Sequence, residues 1–101
     1  MNDIEFDKEF YDQVDEFIRL ANTVSSKIGD EKTTAVINFA ASRYSAYLTA
    51  FSSKDLDELK ALRDESIDYF LPIYKSNLKR NLNHFEANYD LFVSKYREDK
   101  K

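Results

Sequence analysis

The apolar positions near the N-terminus follow the period of an α-helix. Between Phe10 and Ile28 they recur mostly every three or four residues, which places them on one face of a helix. The members of this face are Phe10, Val14, Phe17, Ile18, Ala21, Val24 and Ile28. Asp7 suits the N-cap, and Gly29 stands where a left-handed C-cap residue belongs. The pattern predicts a first helix over about residues 8–28.

A stretch that is nearly free of charge follows. Residues 33–53 carry one charged side chain, Arg43, in a chain of which 34% is charged. Most of the other side chains are small or aromatic, so a helix here is apolar around most of its circumference and must be covered on several sides. We therefore predict a second helix over about residues 32–52, at the centre of an all-helical assembly.

Helical periodicity then continues almost to the C-terminus. Beyond Pro72, six apolar residues follow one another at steps of 4, 3, 4, 3 and 4, the a/d pattern of a coiled coil. These residues, called the C-terminal seam below, are Leu78, Leu82, Phe85, Tyr89, Phe92 and Tyr96. Because proline cannot donate a helical hydrogen bond, we predict a third helix over about residues 55–95 that is kinked or broken at Pro72. A frayed charged tail is expected at residues 97–101.

The turn before the third helix has a possible capping signal. Ser52 and Asp55 have the spacing of a capping box, in which Ser52 would be the N-cap.

Composition supports the all-α class. The chain has 101 residues with one glycine, one proline and no cysteine, whereas sheet proteins need turn residues at short intervals. We predict a single helical domain over residues 1–101 that forms a helical bundle and is oligomeric. Without cysteine, disulfides and thiolate metal sites are excluded.

We predict no membrane segment and a cytoplasmic location. The acidic start of the chain lacks the apolar region of a signal peptide. The apolar stretch at residues 33–53 is long enough to span a bilayer, but Arg43 in its middle would cost about 2.5–3.5 kcal/mol on insertion.

The length of the third helix bears on association. An unbroken helix over residues 55–95 would be about 60 Å long, whereas a compact domain of this size has a radius of gyration of about 13 Å. The C-terminal seam would then project from its own domain, and exposed apolar seams are usually interfaces. We therefore predict self-association. The alternative is a chain that folds back at Pro72 into a four-helix bundle.

Charge is distributed unevenly along the chain, whose net charge is −4. Residues 1–31 contain nine acidic and three basic side chains, and residues 72–101 contain seven basic and four acidic ones. The two ends can attract each other within one chain or between chains. Lys75, Lys79 and Arg80 form the best basic patch, but the acidic overall balance argues against a nucleic-acid partner.

A polar strip runs beside the seam. It consists of Asn77, Asn81, His84 and Asn88, at steps of 4, 3 and 4. Either it sets the register of a helix pair, as buried asparagine does in coiled coils, or it is an ordinary solvated flank. His84 lacks the helical carboxylate partners of bundle metal sites, so we predict neither a metal nor a cofactor.

Three segments of the chain resemble a known family. They are FDKEFYDQVDEFIRLAN (Phe6–Asn22), AASRYSAYLTAFSS (Ala40–Ser53) and DESIDYF (Asp64–Phe70). The chain resembles, over roughly residues 4–92, a family of small bacterial proteins known as a domain of unknown function. The resemblance implies a small helical cytoplasmic protein and brings no activity, ligand or catalytic residue.

The functional prediction follows from the apolar surface. We expect a non-enzymatic module that associates with itself, and with a further protein as a second option, through the C-terminal seam together with Asn81 and His84. No catalytic residue is predicted. The alternative is a small-molecule-binding protein or enzyme with an inter-helix pocket around Arg43, Tyr44 and Tyr47, whose rings and cation could stack on a planar ligand.

Overall fold

The chain is α-helical wherever its structure is described. The computed structural model describes residues 4–99, except for the side chains of residues 94–96 and 98–99. Within these bounds there are four α-helices and no strand: α1 (Lys8–Ile28), α2 (Asp30–Ser52), α3 (Leu56–Ala87) and α4 (Tyr89–Asp99). The all-α class is therefore confirmed. The side chain of Tyr96 and residues 100–101 of the predicted tail lie outside the described residues.

The start of α1 is fixed by local contacts. Asp7 is the N-cap, as predicted, and its side chain accepts a hydrogen bond from the backbone N–H of Phe10 at 3.0 Å. The Phe6 ring stacks on the Phe10 ring with 4.2 Å between centroids and meets Tyr11 edge-on at 6.1 Å. The aromatic contacts hold the chain at the angle at which it enters the helix.

One residue, Gly29, separates α1 from α2. Its N–H donates to the Ser25 carbonyl at 2.8 Å, so it caps α1 as predicted. Its φ is +87°, but its ψ of 162° lies outside the left-handed helical region that the sequence suggested. A Cβ built on Gly29 would meet nothing within 4 Å. The requirement for glycine is therefore one of backbone conformation and not of space.

The first turn of α2 packs back on this connection. The Thr33 hydroxyl donates to the Gly29 carbonyl at 2.6 Å, and the Thr33 N–H donates to the same oxygen at 3.1 Å. Thr33 is 4% exposed and is the one buried residue among the described side chains.

The start of α3 differs from the predicted capping box. Asp55 is the N-cap, and its side chain accepts from the Glu58 N–H at 2.9 Å. Ser52 is instead the last residue of α2, where its hydroxyl donates to the Leu48 carbonyl at 2.7 Å. The prediction of Ser52 as a cap was wrong because its hydroxyl bonds backward to α2.

Of the two outcomes predicted at Pro72, a kinked helix or a broken one, the break is excluded. α3 continues through Pro72 to Ala87, so the chain is not broken at the proline. The missing N–H removes one hydrogen bond from a helix of 32 residues. The predicted helix over residues 55–95 is divided at Asn88. There the backbone N–H and the side-chain Nδ2 both donate to the His84 carbonyl, at 3.2 and 2.9 Å, and φ and ψ shift to −128° and 31°.

The chain divides into two units, residues 1–47 and 48–101. The first contains α1 and most of α2. The second contains the end of α2, α3 and α4, and in it the hydroxyl oxygens of Thr49 and Ser66 are 3.0 Å apart. Among the side chains described in either unit, no apolar one is buried. The described apolar faces of the helices are therefore at most partly covered.

Replacing Gly29 by alanine should lower the free energy of unfolding. A residue with a Cβ is strained at this positive φ, at a cost of about 1–3 kcal/mol. Urea unfolding followed by circular dichroism at fixed protein concentration measures the change. Lys27→Ala is the control, because Lys27 lies two residues before Gly29 and has helical backbone. It should change stability by less than about 0.5 kcal/mol. Equal effects of the two substitutions would contradict the role given to Gly29.

Asn88→Ala should join α3 and α4 into one helix. The substitution removes the side chain that competes for the His84 carbonyl and introduces the best helix former, a gain of about 0.7 kcal/mol at most. Backbone chemical shifts of residues 87–89 report the change. Asn81→Ala is the matched control, because the Asn81 side chain also donates to a backbone carbonyl four residues earlier but lies within a continuous helix. Unchanged shifts at residues 87–89 in Asn88→Ala would assign the interruption to another cause.

Candidate interaction surfaces

The C-terminal seam is exposed along its described length. Its five described side chains, all in the second unit, have exposed fractions between 39% for Phe92 and 54% for Leu82. Side chains of this type are normally removed from water in a folded protein. The sequence-predicted seam therefore exists as an uncovered apolar surface.

An aromatic cluster forms where α3 meets α4. The Phe85 and Phe92 rings meet edge to face with centroids 5.5 Å apart, and the His84 ring lies 5.2 Å from Phe92. In α4, the Arg97 guanidinium donates to the Tyr89 hydroxyl at 3.3 Å. Because Phe85 and Phe92 touch, the seam stays on one side of the chain across the interruption at Asn88. Each such ring pair contributes about 0.5–1.5 kcal/mol beyond the area it buries.

The polar strip beside the seam bonds to its own backbone. The Asn81 side chain donates to the Asn77 carbonyl at 3.0 Å, and Asn88 donates to the His84 carbonyl. His84 belongs to the aromatic cluster through its ring contacts with Phe85 and Phe92. These local bonds need no second helix, so a role of the strip in setting register stays a prediction.

A second apolar surface, on α1, is exposed in the same way as the C-terminal seam. Val14, Phe17, Ile18 and Ile28 are between 38% and 72% exposed. Away from this face, Lys8 pairs with Asp12 at 2.7 Å and Arg19 pairs with Glu16. Exposed ion pairs of this kind contribute at most about 1 kcal/mol. The sequence predicted that these residues share one face of the helix, and no apolar side chain described in the first unit is buried.

The predicted pocket residues come together on α2 in the first unit. Arg43, Tyr44 and Tyr47 line one groove with five other residues of the same helix: Lys32, Ala35, Val36, Phe39 and Ala40. Since one helix supplies every lining residue, the groove is open to one side. The Arg43 guanidinium lies over the Phe39 ring, 4.8 Å from its centroid. The cation is thus already engaged with an aromatic face.

Two further properties concern metals and membranes. In the described part of the chain, no three or more His, Asp or Glu side chains are grouped so that they could hold a metal ion. None of the helices within the described residues combines the length and apolarity that crossing a bilayer requires.

Comparison with known proteins identifies a family. No curated protein and no solved structure matches this sequence. The family model described as "Protein of unknown function (DUF3144)" matches residues 10–85, which include almost all of α1, the whole of α2 and most of α3. The resemblance carried by the three sequence segments is confirmed: the chain belongs to the DUF3144 family.

Proposed function

We propose that this protein is a non-enzymatic helical module whose task is association with copies of itself. The observation that carries the proposal is the absence of any buried apolar residue among the described side chains, in a chain that is 43% hydrophobic. Helices in proteins owe most of their stability to packing of an apolar face and not to intrinsic propensity. A surface that covers these faces is therefore required.

The energetics favour an interface that uses more than the seam. Full burial of a large apolar side chain contributes about 1.5–3 kcal/mol, and the half-exposed seam residues have about half of that left to gain. The five described positions then offer roughly 4–7 kcal/mol per copy. Association itself costs on the order of 4–15 kcal/mol. The seam alone is marginal, so a stable oligomer needs a second apolar face in the same interface.

The identity of any other partner, the origin and location of the chain, and a ligand-binding role all stay predictions. A different protein could cover the same faces, and the family resemblance implies a bacterial, cytoplasmic chain. For the small-molecule alternative, the specific observation is the groove that Arg43, Tyr44 and Tyr47 share. A ligand retained in native mass spectrometry and lost on Arg43→Ala would support that alternative. A protein free of ligand in both forms would count against it.

Sedimentation of the wild-type chain tests the proposal. We expect a species of at least twice the chain mass of 11.9 kDa at micromolar concentration. Because association is linked to folding, the unfolding temperature should also rise with protein concentration. A monomer whose unfolding temperature is independent of concentration would remove the proposal.

Replacing Phe85 and Phe92 by serine should dissociate the oligomer. Both rings lie on the seam and contact each other, so the double variant removes the centre of the proposed interface. Association should be weakened by at least about tenfold, and stability should fall with it. The control is Leu91→Ser, which removes a side chain that is 65% exposed and lies next to the seam but not on it. The control should sediment as the wild type does.

A further inference from the structure

The seam on α1 and the C-terminal seam have the same heptad pattern. On α1, six apolar residues follow one another at steps of 4, 3, 4, 3 and 4: Phe10, Val14, Phe17, Ala21, Val24 and Ile28. The C-terminal seam has six members at the same steps. Adding 68 to each α1 position gives the corresponding seam position. Two a/d seams of equal length and phase are what a pair of coiled-coil helices presents to each other.

The two seams are also uncovered. In the first unit, Phe17 is 72% exposed, and in the second, Leu82 is 54% exposed. Covering both in one interface supplies the second apolar face that the energetics of association require.

Charge selects the relative direction of the two helices. Residues 7–16 have a net charge of −4 and residues 17–28 of +2. In a parallel pairing these segments lie beside residues 75–84, net +3, and residues 85–96, net −1, so both halves meet opposite charge. In an antiparallel pairing they lie beside residues 90–99, net −1, and residues 78–89, net +1, so both halves meet like charge. Like charges across an interface disfavour a pairing, so the parallel direction is selected.

Side-chain size is compatible with the parallel direction at two of the three levels that carry a described ring of the second unit. There Ala21 lies opposite Tyr89 and Val24 lies opposite Phe92, whereas Phe17 lies opposite Phe85. Large residues facing small ones allow the two helices to interdigitate.

We infer that α1 of one copy docks parallel along the C-terminal seam of a second copy, with Phe10 level with Leu78 and Val14 level with Leu82. The inference rests on the proposed function, because it names the surfaces through which self-association occurs. In a two-fold dimer each copy provides one α1 and one seam, so the contact forms twice.

Helix lengths favour a second copy over the chain's own α1. α2 has 23 residues, and Leu78 lies 22 residues after the start of α3. A chain that reversed direction at both connections would bring Leu78 level with the end of α1 instead of its beginning, an offset of about 27 Å at 1.5 Å per residue. The required register is therefore reached between chains.

Disulfide cross-linking tests the inference. The chain contains no cysteine, so every disulfide in the mixture joins introduced cysteines, and the linked peptides identify which two positions are joined. Val14→Cys and Leu82→Cys are mixed, allowed to exchange subunits and oxidised, and linked peptides are identified by mass spectrometry. Facing core positions of paired helices bring the two Cβ atoms within reach of a disulfide. We expect a mixed dimer linked between residues 14 and 82.

The matched control reports the opposite direction. Val24→Cys replaces the same residue type on the same face of α1, and residue 24 is level with Leu82 in the antiparallel pairing. Mixed with Leu82→Cys, it should give mixed dimers at least about tenfold more slowly, because the parallel pairing separates the two sites by about 15 Å. A faster reaction of residue 24 than of residue 14 would overturn the parallel direction.

Two further results distinguish a failure of this docking from a failure of the proposed self-association. A chain that carries both Val14→Cys and Leu82→Cys and forms the bond within a monomer would show that the chain's own α1 covers the seam. Wild-type sedimentation decides self-association independently of cross-linking. An oligomer without a 14–82 bond would therefore overturn this docking and leave the proposed function standing, whereas a wild-type monomer would overturn both.

Discussion

The constraint on which this protein depends is the need to keep apolar side chains out of water. A helix satisfies its own backbone hydrogen bonds, but it cannot bury its own apolar face. Here the described apolar side chains are at most partly covered by their own unit, and Phe17, Tyr44 and Phe51 are among the most exposed. The proposed self-association supplies a surface that covers them.

Local interactions alone define where the helices begin and end. Asp7 and Asp55 cap α1 and α3, and Gly29 and Asn88 each interrupt the helical path as single residues. Many side-chain hydrogen bonds among the described residues join positions three to five apart, whereas Thr49 and Ser66 are 17 positions apart. These local contacts set the helix boundaries, but most of the stability of a helix comes from packing of its apolar face. In the proposed function, association supplies that packing.

The family assignment and the surfaces contribute different information about this chain. Membership of DUF3144 covers residues 10–85 and brings no chemistry with it. The surfaces bring physical chemistry instead: two matched heptad seams, opposite charge along their lengths and rings that remain in contact across Asn88. These surfaces are the basis of the proposed self-association.

The sequence by itself determined the helical class, the extents of α1 and α2 to within two residues, and the Asp7 cap. These depend on periodicity and on contacts one turn apart, which a linear pattern records. Only the structure showed that α3 passes through Pro72 and stops at Ala87, that Asp55 replaces Ser52 as a cap, and that His84 joins the aromatic cluster. These outcomes depend on which hydrogen bonds the side chains and the backbone form and on how rings meet across an interruption. Such competitions are decided by three-dimensional geometry, and residue spacing does not encode them.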